Sequence, residues 1–444
     1  MSEKLAEVYE QYEMEILSTK KGRGATILTT TDGLRILEPF RGSVTRLEQE
    51  YVLKQLFQEE GCSNLDYLIP NKEGMLFTCD KYRQPFVLKK HFEGTECDMH
   101  NIGDIVRAVQ AMADFHIYGK KVAPQFREAW LKNRQEKEER RIEEIERAIA
   151  DGEEMEKIAF VYEISQSALE ETLKRIQKEA EIRKKEEQRA ATESEKNRKQ
   201  GKEFKGEDLN PKVQKKTENR EEEIAGDANA DVGIAAGANA DVEIADTFYR
   251  HNKELKKIQR FVSKVKRKNT FENLFLQVFE NYYKQGLECS KMFSEIEEEA
   301  QEVSAKNVYL NHYGICHGAY NHHNVILGAD GEAIVHFERF SKGNQLNDLY
   351  QFARKVMEKN HFDFEMLKIL FDTYGKRIPL TKDDYYYMYI LFSYPEKFWK
   401  IANGYYNANK AFLSPKYVEK LEMVILQENE KRSMLDKYYA FHLC

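Results

Sequence analysis

The octapeptide His317–Asn324 constrains the fold of this chain more than any other stretch. It reads His-Gly-Ala-Tyr-Asn-His-His-Asn, and the apolar run Val325–Leu327 follows it directly. A His-Gly pair, a polar loop closed by Asn and a short apolar run make one continuous pattern. Ala319 stands in the middle of it, and its methyl group can neither take up a proton nor bind a metal ion. The stretch therefore constrains both the fold and the chemistry available to it.

This spacing is typical of the catalytic loop of kinase-like folds. Those folds place an Asp in the loop to accept the proton of the attacking hydroxyl, and an Asn a few residues later to hold a metal ion. Here Asn324 fills the Asn position, whereas Ala319 stands where the Asp would be. The octapeptide thus predicts a kinase-like fold and argues against the usual chemistry of that fold.

A second motif follows the predicted turn at Asp330-Gly331. Ala333–Phe337 is predicted to form a strand, and kinase-like folds place a magnesium-binding Asp at this point. His336 occupies that position, and a neutral imidazole is a poor ligand for magnesium, which prefers oxygen. Glu338, on the same predicted strand face, could partly substitute. We therefore predict Asn324 and Glu338 as metal-binding and cofactor-binding residues.

The third expected element is the lysine that pairs with nucleotide phosphates. The predicted strand Leu34–Leu37 is followed by Glu38, so a carboxylate stands where an ammonium group is expected and would repel phosphate. The register of a short strand is uncertain by a residue or two, which leaves Arg35 or Arg41 as alternatives. The positions that phosphoryl transfer needs, 38, 319 and 336, are therefore all degenerate.

Two further residues are predicted to keep the loop in shape. His317 is predicted to order the loop and not to act as a base. Asp348 is predicted to begin a helix and to accept hydrogen bonds from the loop backbone, and it is also a candidate cofactor-binding residue. The histidines His317, His322 and His323 could form a metal cluster, but no carboxylate or cysteine stands at a spacing that supports one, which favours a surface loop.

The order of elements predicts an α+β, bilobal, protein-kinase-like fold. Residues 1–95 alternate β-prone runs with one helix and are predicted to be a small N-lobe, and 96–130 begin a helical C-lobe. Residues 131–246 are rich in Lys, Arg, Glu and Gln and contain a short tandem repeat, which predicts a charged, partly disordered helical insertion with coiled character. Residues 247–444 complete the C-lobe and carry the degenerate loop.

Composition excludes several classes of protein. The net charge of −7 gives no reason to expect nucleic acid as a partner. No apolar run reaches the roughly 18 residues of a membrane span, and the first residues lack the core of a signal peptide, which predicts synthesis in the cytoplasm. The six cysteines lack zinc-ligand spacing and are predicted to be free thiols.

Several segments resemble the CotS family of spore coat proteins, which is similar to the aminoglycoside phosphotransferase and choline kinase superfamily. The resemblance covers about 13–130 and 247–432 and is carried by Thr45–Tyr51, His91–Asp98, Ile315–Leu327, Asp348–Asn360 and Ser393–Asn407. It implies expression in a sporulating bacterium and assembly into the coat. By position it also implies Ala319 for the catalytic base, Asn324 and His336 for the metal ligands, and Glu38 for the phosphate-binding lysine, with Glu48 or Glu50 as the helix partner.

The resulting prediction is a spore coat protein with a catalytically inactive, kinase-like fold that acts by binding or scaffolding. Its predicted partners are other spore coat proteins, and its predicted location is the mother-cell cytoplasm and then the spore coat. The alternative is a weak ATP-dependent phosphotransferase that acts on a small hydroxyl compound or a sugar. ATP and magnesium are the cofactors that this alternative requires, and the sequence establishes neither of them.

Overall fold

The computed structural model describes residues 5–22, 24–150, 240–302, 312–407 and 415–444. The chain divides into two units, one formed by residues 1–127 and 234–444 and the other by residues 128–233. The predicted insertion, 131–246, overlaps the second unit. The sequence also predicts a helical hairpin at 158–176 and a charged helix at 173–189. Both lie outside the described residues, as does the tandem repeat from 225 apart from its last residues.

A five-stranded antiparallel sheet forms the N-lobe, in the order β1-β2-β3-β5-β4. Asp32-Gly33 stands between apolar-rich runs, which predicts a hairpin. The structure confirms it, because Gly33 pairs with Thr30 and has a φ of 105° that a turn requires. The β-prone run Tyr67–Pro70 also predicts a strand. That prediction is wrong, because the segment makes a single bridge, from Leu68 to Lys89. The elements are α1 Ala6–Tyr9, β1 Ile16–Lys21, β2 Thr26–Thr30, β3 Gly33–Pro39, α2 Val44–Glu59, β4 Thr78–Cys79 and β5 Pro85–Lys90.

The C-lobe is helical, as predicted. Its first long helix begins where the Asn101 side chain accepts hydrogen bonds from the N–H groups of Gly103 and Asp104. The periodicity of Lys416–Lys431 predicts one amphipathic helix. That prediction is wrong, because the chain turns at Gln427 and begins a second helix. The helices are α3 Ile102–Val122, α4 Phe126–Ala150, α5 Ala240–Lys264, α6 Thr270–Glu302, α7 Leu346–Lys359, α8 Phe364–Gly375, α9 Lys382–Ser393, α10 Glu396–Asn407, α11 Lys416–Leu426 and α12 Glu428–His442.

Two small sheets hold the catalytic-loop region. β7 (Tyr313–Cys316) pairs with β10 (Ser341–Asn344), and β8 (Val325–Leu327) lies between β6 (Thr95–Glu96) and β9 (Glu332–Ile334). The predicted loop thus leaves one small sheet and enters the other, which fixes both of its ends.

An aromatic cluster forms part of the C-lobe core. Phe398, from the segment Ser393–Asn407 that carries part of the resemblance, packs against Tyr282 and Phe275 with ring centroids 4.4 and 5.5 Å apart. Burying an aromatic side chain of this size contributes about 1.5–3 kcal/mol. This segment therefore builds the core under α10.

Within the described ranges, we find no helix that combines the length and apolarity needed to cross a membrane.

Candidate functional site

Asp348, in the first turn of α7, fixes the start of the loop. Its carboxylate is buried and accepts hydrogen bonds from the backbone N–H groups of His317, at 2.6 Å, and Gly318, at 2.9 Å. His116 approaches the same carboxylate at 3.4 Å. The hydrogen bonds predicted for Asp348 are therefore present. They engage both carboxylate oxygens with the loop backbone, and a role of Asp348 in cofactor binding stays a prediction.

His317 is fully buried and orders the loop from inside. Its Nε2 lies 3.0 Å from the carbonyl oxygen of Val335, and its Nδ1 lies 3.2 Å from the N–H of Ala319. One neutral tautomer satisfies both contacts, with Nε2 donating and Nδ1 accepting. Burial lowers the pKa of His317, which favours that neutral form. The prediction that His317 belongs to a surface loop is wrong, because the ring packs under the loop.

The other two histidines stand apart from His317 on the outer turn. His323 is exposed and pairs with Glu96, and its ring centroid lies 3.8 Å from that of His322. The described residues contain no group of three or more His, Cys, Asp or Glu side chains placed to hold a metal ion.

Ala319, which stands where a catalytic base is expected, and the retained Asn324 are in contact within the loop. The carbonyl oxygen of Ala319 accepts hydrogen bonds from the side-chain amides of Asn321, at 2.7 Å, and Asn324, at 3.0 Å. Asn324 therefore stabilises the loop through its Nδ2 group, which leaves its Oδ1 as the one oxygen of this side chain that a cation could use.

His336 and Glu338 do not lie on a strand, so the prediction that they share a strand face is wrong. β9 ends at Ile334, and His336 has a φ of 68°, which turns the chain. The N–H of His336 donates to Asp66 of the N-lobe at 3.0 Å, instead of pairing in a sheet. The His336 ring then lies 3.5 Å from the carboxylate of Glu338.

A lysine that the sequence did not single out lies at the centre of a buried group of charges between the N-lobe and the segment 332–340. Lys89, on β5, is 3% exposed, and its Nζ lies 3.3 Å from Glu338, 3.6 Å from Glu38 and 3.6 Å from Asp66. Burial alone would lower the pKa of Lys89, but the surrounding carboxylates, Asp66 first, raise it well above its usual value. A lysine is expected on β3, but β3 supplies the carboxylate of Glu38 and β5 supplies the ammonium group of Lys89.

A second buried lysine completes the network. Lys54, on α2, lies 2.6 Å from Glu50 and 2.6 Å from Asp66. Burial alone would raise the pKa of Asp66, yet Lys54 and then Lys89 hold it below its usual value. Glu50, a candidate partner for position 38, is instead paired with Lys54 on its own helix.

These residues do not fit a magnesium nucleotide. Four carboxylates (Glu38, Glu50, Asp66 and Glu338) surround two lysines, and both lysines are held by them. Nucleotide phosphates would meet a net negative region in which no ammonium group is free. Burial would raise the pKa of Glu338, but His336 and Lys89 hold it well below its usual range, so this carboxylate stays ionised and is already engaged by internal partners.

A groove of about 430 Å³ runs along the other side of the loop. Gly318 and Arg339 line it next to the loop, and Phe248, Tyr350 and His251 line it from the helices. The ring of His251 stacks on Trp399 with centroids 3.2 Å apart, and burial lowers the pKa of His251 to about 4. The groove therefore offers uncharged aromatic faces beside charged groups and is large enough for a small polar molecule.

The pair of His336 and Glu338 predicts a pH dependence of stability. The hydrogen bond to Glu338 raises the pKa of His336 in the folded protein. The resulting stabilisation is fully present below the unfolded pKa of about 6.5 and is lost as the pH rises through the folded pKa. We expect urea denaturation to show a larger difference in free energy of unfolding between the wild type and His336→Asn at about pH 6 than at about pH 9. Asn suits this variant because it tolerates a positive φ.

A direct titration checks the sign of that shift. An NMR titration that places the midpoint of His336 at or below its usual value would contradict the predicted dependence.

Comparison with known proteins identifies the fold. No protein-family model matches the sequence, and no curated protein matches it significantly. An aminoglycoside phosphotransferase from Alicyclobacillus acidocaldarius matches the structure with a TM-score of 0.61 at 10% identity, over 97% of this chain and 94% of that chain. The predicted aminoglycoside phosphotransferase-like fold is thus confirmed.

Other solved structures match at lower TM-scores. A spectinomycin phosphotransferase in complex with ADP and spectinomycin has a TM-score of 0.46 at 10% identity, over 96% of this chain and 97% of that chain. A choline kinase from Cryptosporidium parvum has a TM-score of 0.42 at 8% identity, over 96% of this chain and 91% of that chain.

Sequence reasoning missed Lys54, Asp66 and Lys89. Two of them left a signal, because Lys89 follows the apolar run Phe86–Leu88 and Lys54 interrupts the apolar stripe of α2 four residues after Glu50. A lysine within a buried stripe predicts a buried partner. Asp66 left no such signal, because its segment has no regular secondary structure.

Proposed function

We propose that this protein is a kinase-like spore coat protein that binds other molecules without transferring phosphate. The observation that carries the proposal is Lys89, whose ammonium group faces three carboxylates, Glu38, Asp66 and Glu338, whereas the phosphate-binding lysine of kinase-like folds pairs with a single Glu. The absence of a carboxylate at position 319 supports it, because losing a general base lowers the rate by about 10²–10⁴-fold.

The coat assignment rests on the resemblance of the motifs to CotS proteins. In this proposal the chain is made in the mother-cell cytoplasm and is then assembled into the spore coat with other coat proteins. The charged segment 131–246 serves as an arm that contacts those partners. The groove beside Gly318 and Tyr350 remains open for a small ligand.

A nucleotide-binding measurement tests the inactive state. We expect ATP with magnesium to leave the melting temperature of the purified protein unchanged, because no free cation faces the phosphates, and we expect no ATP turnover above background. Asn324→Ala is the matched variant, and it should behave like the wild type in both assays. Differential scanning fluorimetry and a phosphate-release assay provide the two readouts.

The opposite result would identify the alternative function. Magnesium-dependent ATP turnover that Asn324→Ala abolishes would show that Asn324 holds a catalytic metal ion. The protein would then be a phosphotransferase for a small hydroxyl compound or a sugar, and the proposal would be wrong.

A further inference from the structure

A groove beside α5 is separate from the charged group around Lys89 and from the loop 317–324. It lies between α5 and α6, has a volume of about 760 Å³, and shares none of the described lining residues with the groove beside Gly318. Asn252 fixes its floor, because the side chain of Asn252 donates to the carbonyl oxygen of Gly286 at 3.0 Å and to Ser290 at 2.9 Å. A Cβ atom at position 286 would lie 2.5 Å from Asn252, so the two helices are in close contact there.

One wall of this groove is a stripe of cations. Arg250, Lys253, Lys257 and Arg260 recur at intervals of three and four residues and so share one face of α5, and all four are exposed. The structure pairs none of these four side chains with a carboxylate of the described residues. At a rise of 1.5 Å per residue, the stripe extends over about 15 Å.

The other wall consists of apolar and uncharged polar side chains. Tyr283, Leu287 and Ser290 of α6 line it, and Leu287 is 46% exposed. The one carboxylate that lines the groove, Glu254, accepts a hydrogen bond from Trp399 at 2.8 Å. The groove is therefore strongly cationic in a chain whose net charge is −7.

We propose that this groove binds an acidic amphipathic helix of a partner protein. Carboxylates spaced three and four residues apart on such a helix would match the cation stripe, and an apolar side chain would contact Leu287. A long polyanion such as nucleic acid is disfavoured, because the net negative charge of the whole chain repels it beyond the groove. This proposal does not depend on whether the protein binds nucleotides.

The test uses a fluorescent model helix with Glu on one stripe and Leu on the adjacent stripe. Fluorescence anisotropy with the full chain should show saturable binding that a peptide with Gln in place of Glu does not reproduce. In the triple variant Lys253→Gln, Lys257→Gln, Arg260→Gln, affinity should fall about tenfold or more, because three charge pairs are lost. Gln retains good helix propensity, so α5 should stay folded.

A matched variant removes the same total charge elsewhere. Lys376→Gln, Lys382→Gln, Lys437→Gln changes three exposed lysines that lie on or next to helices other than α5 and α6, and it should change the affinity less than twofold. Leu287→Ser should weaken binding of the model helix about threefold or more, because it removes the apolar contact.

Three results would overturn the proposal. They are an equal loss of affinity in the matched variant, binding of the Gln peptide as tight as that of the Glu peptide, and binding of a single-stranded oligonucleotide that is tighter than the helix and insensitive to Leu287→Ser. The last result would show a polyanion site in place of a helix-binding groove.

Discussion

Asp66→Asn is expected to lower the free energy of unfolding by about 3–5 kcal/mol, the usual range when one partner of a buried ion pair is removed. The Asp66 carboxylate lies 2.6 Å from the ammonium group of Lys54 and 3.6 Å from that of Lys89, and all three side chains are at most 4% exposed. Asparagine keeps the shape of the side chain but removes the charge that both lysines face. The variant therefore leaves two buried cations with reduced compensation.

A surface pair supplies the control for this variant. Asp114 lies 2.7 Å from Arg377, and both side chains are about 40% exposed, at 41% and 42%. Asp114→Asn should change the free energy of unfolding by about 0–1 kcal/mol, because water screens an exposed pair. Urea denaturation of both variants at neutral pH gives the comparison.

The pH dependence of the Asp66 effect has a definite sign. The pKa of Asp66 is lowered in the folded protein, so its stabilisation is complete above the unfolded pKa of about 3.9 and is lost as the pH falls through the folded pKa. The difference between wild type and Asp66→Asn should therefore shrink in acid. A difference at neutral pH no larger than that of Asp114→Asn would show that water reaches Lys54 and Lys89, and the buried network would be disproved.

The same residues tie the two lobes together. Asp66 of the N-lobe accepts the N–H of His336, and Asn64 donates from its side chain to the carbonyl oxygen of Glu332 at 2.8 Å. Arg46 of α2 donates to the carbonyl oxygens of Glu338 and Phe340. The same buried charges thus also hold the N-lobe against the segment 332–340, which gives a structural reason for a buried charged network at this place.

The sequence predicted the elements whose patterns are local. The hairpin at Asp32-Gly33 was predicted from its turn residues and the helix Asp104–His116 from the apolar residues on one face, and both are present, the helix as part of α3. The predicted strand Tyr67–Pro70 failed because its β-prone residues make one bridge and then approach the C-lobe. Hydrophobic pattern alone does not distinguish a sheet strand from a segment between two lobes.

Part of the candidate site was also predictable. The motif predicted that Asp348, at the start of α7, accepts hydrogen bonds from the loop backbone, and the N–H of Gly318 donates to it. The charge reversal between Glu38 and Lys89 was not predictable, because it depends on the pairing of β3 with β5 across about 50 residues of chain. Glu38 alone indicated repulsion of phosphate, whereas the structure shows an internal ion pair.

Gly318→Ala is expected to destabilise the protein by about 3 kcal/mol or more, because it adds both backbone strain and a steric overlap. Gly318 has a φ of 73°, where an L-residue with a side chain is strained by about 1–2 kcal/mol. A Cβ atom at this position would also lie 2.0 Å from the carbonyl oxygen of Arg339. Relieving that overlap requires the loop to move, which would break the hydrogen bond from Gly318 to Asp348.

Gly74→Ala separates the two defects. Gly74 has a similar φ of 78°, but no atom lies within 4 Å of a Cβ built there. This control should therefore show the backbone strain alone, about 1–2 kcal/mol in urea denaturation. Equal losses in Gly318→Ala and Gly74→Ala would mean that the Arg339 carbonyl gives way without cost. The loop would then be adaptable, and the rigid loop that His317, Asp348 and Arg339 define in the structure would not exist in solution.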